Sequence, residues 1–178
     1  IKDFHKTYYQ PSNAILMVSG DIDPKEVFKK AKKEFGEIKN KAKIPEFKFV
    51  EPEQNGAKRV IVHKESEVEM LAITFHIPDF KDPDQIVLSV ISEILYSGKS
   101  SRLYKELVDK KRLVNTVYAY NMENTNPGLF IFLAVCNHGI KAEDVEKEIV
   151  EQIELMKNTQ VTAEELEKVK INTKSDFI

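Results

Sequence analysis

At Val114 the apolar pattern of this chain changes period, and that change constrains the fold more than any other feature. Upstream, Leu103 and Leu107, with the Tyr104/Val108 pair, recur at helical spacing, while Lys105, Glu106, Asp109 and Lys110 take the wet face. Downstream, Val117 and Ala119 alternate with Tyr118 and Tyr120, the two-residue period of a strand. Gly98 can adopt the left-handed conformation that ends a helix, and Ser100 or Ser101 can cap the next one. The stretch Gly98 to Tyr120 therefore predicts a helix end, a small-residue turn, an amphipathic helix and a strand. None of its residues is an evident catalyst.

The rest of the chain follows from similar signals. Ile1, Phe4 and Tyr8 predict a helix ended by Pro11, and the apolar run Ala14 to Val18, between Asn13 and Gly20, predicts a buried strand. Asp23 is an acidic N-cap ahead of Pro24 and Glu26; Val27, Phe28, Ala31 and Phe35 form the inner stripe of the helix it opens, and Gly36 ends it. Residues 37 to 57, rich in Lys, Glu, Asn, Gly and Pro, read as a linker, with Phe47 and Phe49 laid on a surface. Strands are expected over Arg59 to His63 and Met70 to Ile77, around the polar turn Lys64 to Glu67.

A second helix start at Asp82 to Gln85 precedes the inner face Ile86, Val87, Val90, Ile91, Ile94 and Leu95. After the turn Asn124 to Pro127 comes a third strand, Gly128 to Cys136. A helix over Lys141 to Lys157 turns Val145, Ile149, Ile153 and Met156 inward, and the capping box Thr162 to Glu165 opens the last helix. Short turns between adjacent strands imply antiparallel pairing. The fold class expected is α+β, a largely antiparallel sheet with helices packed on one face.

Composition narrows the functions. With 178 residues, 42% apolar and 31% charged, the chain can bury a sizeable core as a soluble globular protein. A net charge of -2 offers nothing to draw nucleic acid or anionic lipid, so neither is expected as a partner. The lone Cys136 cannot form an internal disulfide, and its apolar setting predicts a buried thiol. No apolar run approaches the roughly 20 residues of a membrane span, and no charged-then-apolar leader is read within this chain, so a soluble protein of cytoplasm or periplasm is expected. Ile1 begins inside one helical pattern and Lys174 to Ile178 stops inside another, which suggests a piece of a longer protein.

Catalytic groupings are missing from the pattern. His5, His63, His76 and His138 belong to neither H-x-x-E-H nor H-E-x-x-H, the spacings that set two imidazoles on one zinc with a carboxylate as base. His63, Glu65 and Glu67 could be drawn as a metal cluster, but a strand end running into a charged turn is the simpler reading. His76 reads as a strand histidine and His138, beside Gly139, as a turn residue. The single Gly20 after the run to Val18 is too little for a nucleotide-binding turn. No metal ligand and no catalytic residue is assigned to this chain.

Two motifs carry a family resemblance. Residues 8 to 23, YYQPSNAILMVSGDID, resemble the Y-x-P-x-N-x-x-L-x-x-x-G-D-x-D segment of the pitrilysin/insulinase (inverzincin) zinc peptidases. Residues 98 to 104, GKSSRLY, with Leu107 and Val117, are similar to that family's G-x-x-S-R-L-x-x-x-L-R-E-x-x-G-L-x-Y-x-V. The order and separation of the two also match the family's, and nearly the whole chain is covered.

The resemblance implies the C-terminal-type lobe that follows the zinc-bearing one. Residues 1–38 would be the final helix–strand–helix unit of the preceding lobe, 39–57 a linker, and 58–178 the first part of the next, non-catalytic lobe. Zinc would be bound in the parent, outside this chain. The parent would be a metalloendopeptidase that encloses peptide substrates between two bowl-shaped halves, with this lobe as wall and hinge. The family's Arg and Tyr that assist the substrate carbonyl fall at Val108 and Asn115, which leaves that pair to a second half or partner subunit. Both positions stand as substrate-chamber candidates. The alternative is a lobe of a catalytically inactive homologue that serves as scaffold or partner subunit. The lobes' shared plan further implies that Ala14 to Val18 fills a vacant sheet edge, in its own chain or in a neighbour.

Overall fold

A computed structural model describes residues 1–46 and 51–176, so the expected surface contact of Phe47 and Phe49 lies outside the described residues. The chain divides into two compact units, Ile1–Val60 and Ile61–Ile178.

The first unit is built from local signals. Helix α1 (Lys2–Tyr8) runs into a single 3-10 turn (Pro11–Asn13), and α2 spans Pro24–Phe35. Asp23 caps α2 as expected, its Oδ1 accepting from the Lys25 N–H at 2.8 Å. The unit's fixed point is polar. Buried Gln10 donates to the carbonyls of Thr7 (2.8 Å) and Ala42 (2.7 Å) and accepts from the Lys41 N–H at 2.8 Å. The inner stripe of α2 is not buried: Phe28 and Phe35 are both exposed.

The strand expected over Ala14 to Val18 does not form, and Ile15, Leu16 and Met17 are exposed. Apolar residues alone do not make a strand; the backbone needs a neighbour to bond. Among the described residues the strands all belong to one three-stranded sheet of the second unit, and Ala14 to Val18 is not a strand. The strand expected over Arg59 to His63 is likewise absent, with Val60, Ile61 and Val62 exposed.

The second unit carries the fold. Its elements are β1 (Met70–Ile77), α3 (Asp84–Tyr96), a π-helix (Tyr104–Lys110), β2 (Val114–Met122), β3 (Gly128–Cys136), α4 (Ala142–Asn158) and α5 (Ala163–Asp176). The three strands form one antiparallel sheet in the order β1-β3-β2, with Phe132 opposite Ile73 on one side and Ala119 on the other. Gly98 takes φ 73°, the left-handed turn expected of it after α3. Ser101 does not deliver the expected hydroxyl cap: its Oγ is buried and makes no hydrogen bond.

One face of the sheet makes the core. Phe130, Phe132, Ala134 and Cys136 of β3 and Val117 and Ala119 of β2 cluster with Leu95 of α3, Leu103 and Leu107, and Val145 and Ile149 of α4. Each buried Val, Leu, Ile or Phe among them contributes about 1.5–3 kcal/mol of transfer free energy. Helices on one face of an antiparallel sheet is the α+β arrangement the strand turns predict.

Candidate functional site

The helix that opens at Arg102 widens into a π-helix, with the Lys111 N–H bonded to the Glu106 carbonyl five residues back at 3.0 Å. Such turns are rare and tend to mark places where a helix presents side chains off its regular stripe. Leu103 and Leu107 stay fully buried, while Val108 is half-buried against the core. Leu113 donates to the Leu107 carbonyl at 2.8 Å and accepts from the Asn137 N–H at 2.9 Å, which joins the helix end to the end of β3. Between them Arg112 sits at φ 52°, left-handed for a residue with a side chain, its carbonyl accepting from Asn137 Nδ2 at 2.7 Å.

Asn115 lies at a β-bulge, where the register with β3 slips between Val114 and Thr116. It is exposed, and its Oδ1 accepts from Thr116 Oγ1 at 2.7 Å. Val108 thus lies within the π-helix and Asn115 at the bulge, with the left-handed Arg112 between them. Their chemistry is thin: Val108 offers neither charge nor hydrogen bond, and Asn115 a neutral amide. The charges nearby neutralise one another. Lys110 holds the Glu106 carboxyl below its usual range through a 2.7 Å bond, and Lys111 reaches both Glu106 and Glu148, the bond to Glu148 raising its ammonium.

Among the described residues no group of three or more His, Cys, Asp or Glu could hold a metal, so His63, Glu65 and Glu67 do not converge. His138 lies in the turn before Gly139, as its neighbours imply. The Cys136 thiol is buried, and desolvation pushes it up, away from thiolate chemistry.

What the lobe does present is a second sheet face. Alternation along the strands turns Leu129, Ile131, Leu133 and Val135 away from the core, in register with Met122, Tyr120, Tyr118 and Thr116 of β2 and with His76, Thr74, Ala72 and Met70 of β1. None of these twelve positions is an Asp, Glu, Lys or Arg. Met70, Tyr118, Tyr120 and Met122 are exposed, and the four β3 residues are half-buried between their neighbours. Tyr96, at the end of α3, closes one corner against Tyr118, ring centroids 5.2 Å apart. Periodicity places Tyr118 and Tyr120 on this face but is silent about Ile131 and Leu133. Every residue from Leu129 to Cys136 is apolar, so the run has no period to read.

Comparison with known proteins agrees with the motifs. The chain is 44% identical, over its whole length, to the zinc protease PqqE of Helicobacter pylori, and it spans 41% of that relative. It is 23% identical across its whole length to the uncharacterized zinc protease YmxG of Bacillus subtilis, covering 42% of it. The crystal structure of a protease from Helicobacter pylori superposes with a TM-score of 0.91 at 44% identity, over 99% of this chain and 43% of that one. A peptidase M16 inactive domain from Pseudomonas fluorescens matches 61% of this chain and 26% of its own, at TM-score 0.55 and 25% identity. The chain therefore spans about two fifths of the curated relatives that it matches end to end. With residues 1–173 matching the description "Peptidase M16 inactive domain", it belongs to the M16 family, the pitrilysin/insulinase peptidases.

Proposed function

We propose that this chain is the non-catalytic lobe of a zinc metalloendopeptidase and supplies a wall of the chamber in which peptides are cleaved. The observation that carries the reading is the uncharged sheet face of Tyr118, Tyr120, Ile131 and Leu133, left open by helices that gather on the other side. A broad apolar and aromatic surface takes up unfolded segments through dispersion and excluded water, without the fixed polar pattern that a folded ligand needs. Zinc would be held by the preceding lobe of the longer parent, as the zinc-protease relatives support. The missing charge at Val108 and the missing phenol at Asn115 leave the Arg/Tyr pair to a second half or partner subunit. These two positions remain chamber contacts by shape alone.

The same reading divides the chain at residues 1–38, 39–57 and 58–178, the first belonging to the preceding lobe. The exposure of Ile15, Leu16, Met17, Phe28 and Phe35 supports it, because an amphipathic unit with no buried apolar side chain of its own needs a core from elsewhere. A scaffold role in a homologue without catalysis fits Val108 and Asn115 as well, and the presence of H-x-x-E-H in the parent separates the two.

The test uses the full-length protein with zinc and a quenched apolar peptide. Replacing Tyr120 by Lys places one charge on the open face and should lower kcat/KM about tenfold while leaving the thermal midpoint in place. An unchanged kcat/KM would refute the wall.

A further inference from the structure

Helix α5 is attached differently from every other helix of its unit. Its one buried residue is Val169, while Leu166 and Ile171 are exposed. Val169 and Ile94 of α3 are buried, yet neither belongs to the main core cluster. Helix α5 packs on α3, so its apolar contact is a satellite of the core and not a part of it.

Polar groups do most of the joining. The Glu165 carboxylate accepts from Arg102 Nε at 2.6 Å and Nη2 at 2.8 Å, a two-pronged pair across 63 positions of sequence. The same carboxylate closes the capping box of α5, accepting from the Thr162 N–H at 2.9 Å, while Thr162 Oγ1 accepts from the Glu165 N–H at 3.1 Å. One turn further, Lys168 Nζ donates to the Ser97 carbonyl at the end of α3, at 2.6 Å. That bond covers an orphan carbonyl and sets a positive charge at the negative end of the α3 dipole. Arg102 and Glu165 are both partly buried, with 18% and 27% of their side chains exposed, so solvent screens the pair less than a surface one. Its strength shows in Glu165, whose carboxyl Arg102 holds down at about 2.

We infer that α5 is a latched arm: a helix that releases from the lobe as a unit when the Arg102–Glu165 and Lys168–Ser97 junctions open, with the main core still closed. Its side chains are not part of the cluster around Phe132 and Leu107, so release uncovers Val169 and Ile94 without opening that cluster.

Hydrogen exchange of the full-length protein tests this by following amides of 163–176 beside those of β3. In the unaltered protein α5 should exchange faster than β3. Glu165→Gln should speed α5 about tenfold without changing β3, since a carboxamide keeps one acceptor but loses the charged fork. Arg102→Gln, which removes the partner and leaves the capping box of α5 in place, should speed α5 in the same way, again without changing β3. The inference fails if α5 and β3 exchange together in the unaltered protein, if Glu165→Gln speeds both equally, or if it leaves α5 unmoved. Peptide cleavage does not enter the readout, so the arm and the chamber wall stand or fall separately.

Discussion

Helices α2 and α4 carry the same kind of apolar stripe and meet opposite fates. Along α4, Val145 and Ile149 are fully buried in the core cluster over β1 and β3, and Ile153 and Met156 pack at the margin. Along α2, Val27, Phe28, Ala31 and Phe35 make as clear a stripe, and none is buried. Both form, because caps and propensity suffice to write a helix: Asp23 bonds the Lys25 N–H, and Pro24 preorganises the first turn. Only α4 is paid back in burial. The stripe states what a helix requires, and the rest of the polypeptide decides whether it is supplied. The unit that Gln10 and its carbonyl partners tie together has, among its described residues, no buried apolar side chain.

The largest effect expected from this contrast is in the second unit. Leu107 is fully buried in the cluster that joins the π-helix to the sheet. Leu107→Ala should cost about 3–4 kcal/mol, the lost transfer free energy plus the cavity left among rigid neighbours. Urea unfolding followed by circular dichroism reads it, with an unchanged m-value. A cost under about 1 kcal/mol would mean that the core is loose and the contrast with α2 one of degree.

The junction of α5 is intermediate, and pH isolates it. Glu165 titrates at about 2 in the fold, against 4.5 for a free glutamate, chiefly because Arg102 bonds its ionised form. A depressed carboxyl stabilises the fold fully above its unfolded value and loses that contribution as pH falls from about 4.5 towards 2. The loss should be on the order of 1–3 kcal/mol, less than the full shift implies because both side chains retain some exposure. In Glu165→Gln the stability below pH 4.5 should lack this part of the slope. Equal slopes in the two proteins would show that the pair contributes nothing.

Much of this was legible from residue order, and the illegible parts share a cause. The caps at Asp23 and Thr162, the left-handed Gly98, the alternation of Val117 with Tyr118 and the buried stripe of α4 are all local, fixed within a few residues. Ala14 to Val18 and Arg59 to His63 read as strands for the same local reasons, yet a strand is a relation between two segments and neither has a ladder. The π-turn at Tyr104–Lys110 could not be told from an α-helix, because Leu103 and Leu107 are spaced for either. Arg102 and Glu165 were each visible, one in a family motif and one in a capping box, but nothing in their spacing says that they meet. The chamber candidates Val108 and Asn115 came from resemblance. Only the structure shows that one lies in a π-helix and the other at a bulge, with a left-handed turn between them.

The smallest effect expected sharpens the comparison most. Phe28 is 76% exposed on α2, so Phe28→Ser in this chain removes almost no buried surface. Its cost to the urea transition should lie within about 0.5 kcal/mol, the ordinary range for a surface substitution. The same change in the full-length protein asks who supplies the missing core. If residues 1–38 belong to the preceding lobe, Phe28 is covered there, and the cost rises towards the 3–5 kcal/mol of a buried aromatic, roughly the size of the Leu107 effect. Equal, small costs in both settings would leave the stripe of α2 without a partner and break the proposed division of the chain. A large cost only in the longer protein would show that α2 and α4 differ in what surrounds them, and in nothing that their own residues encode.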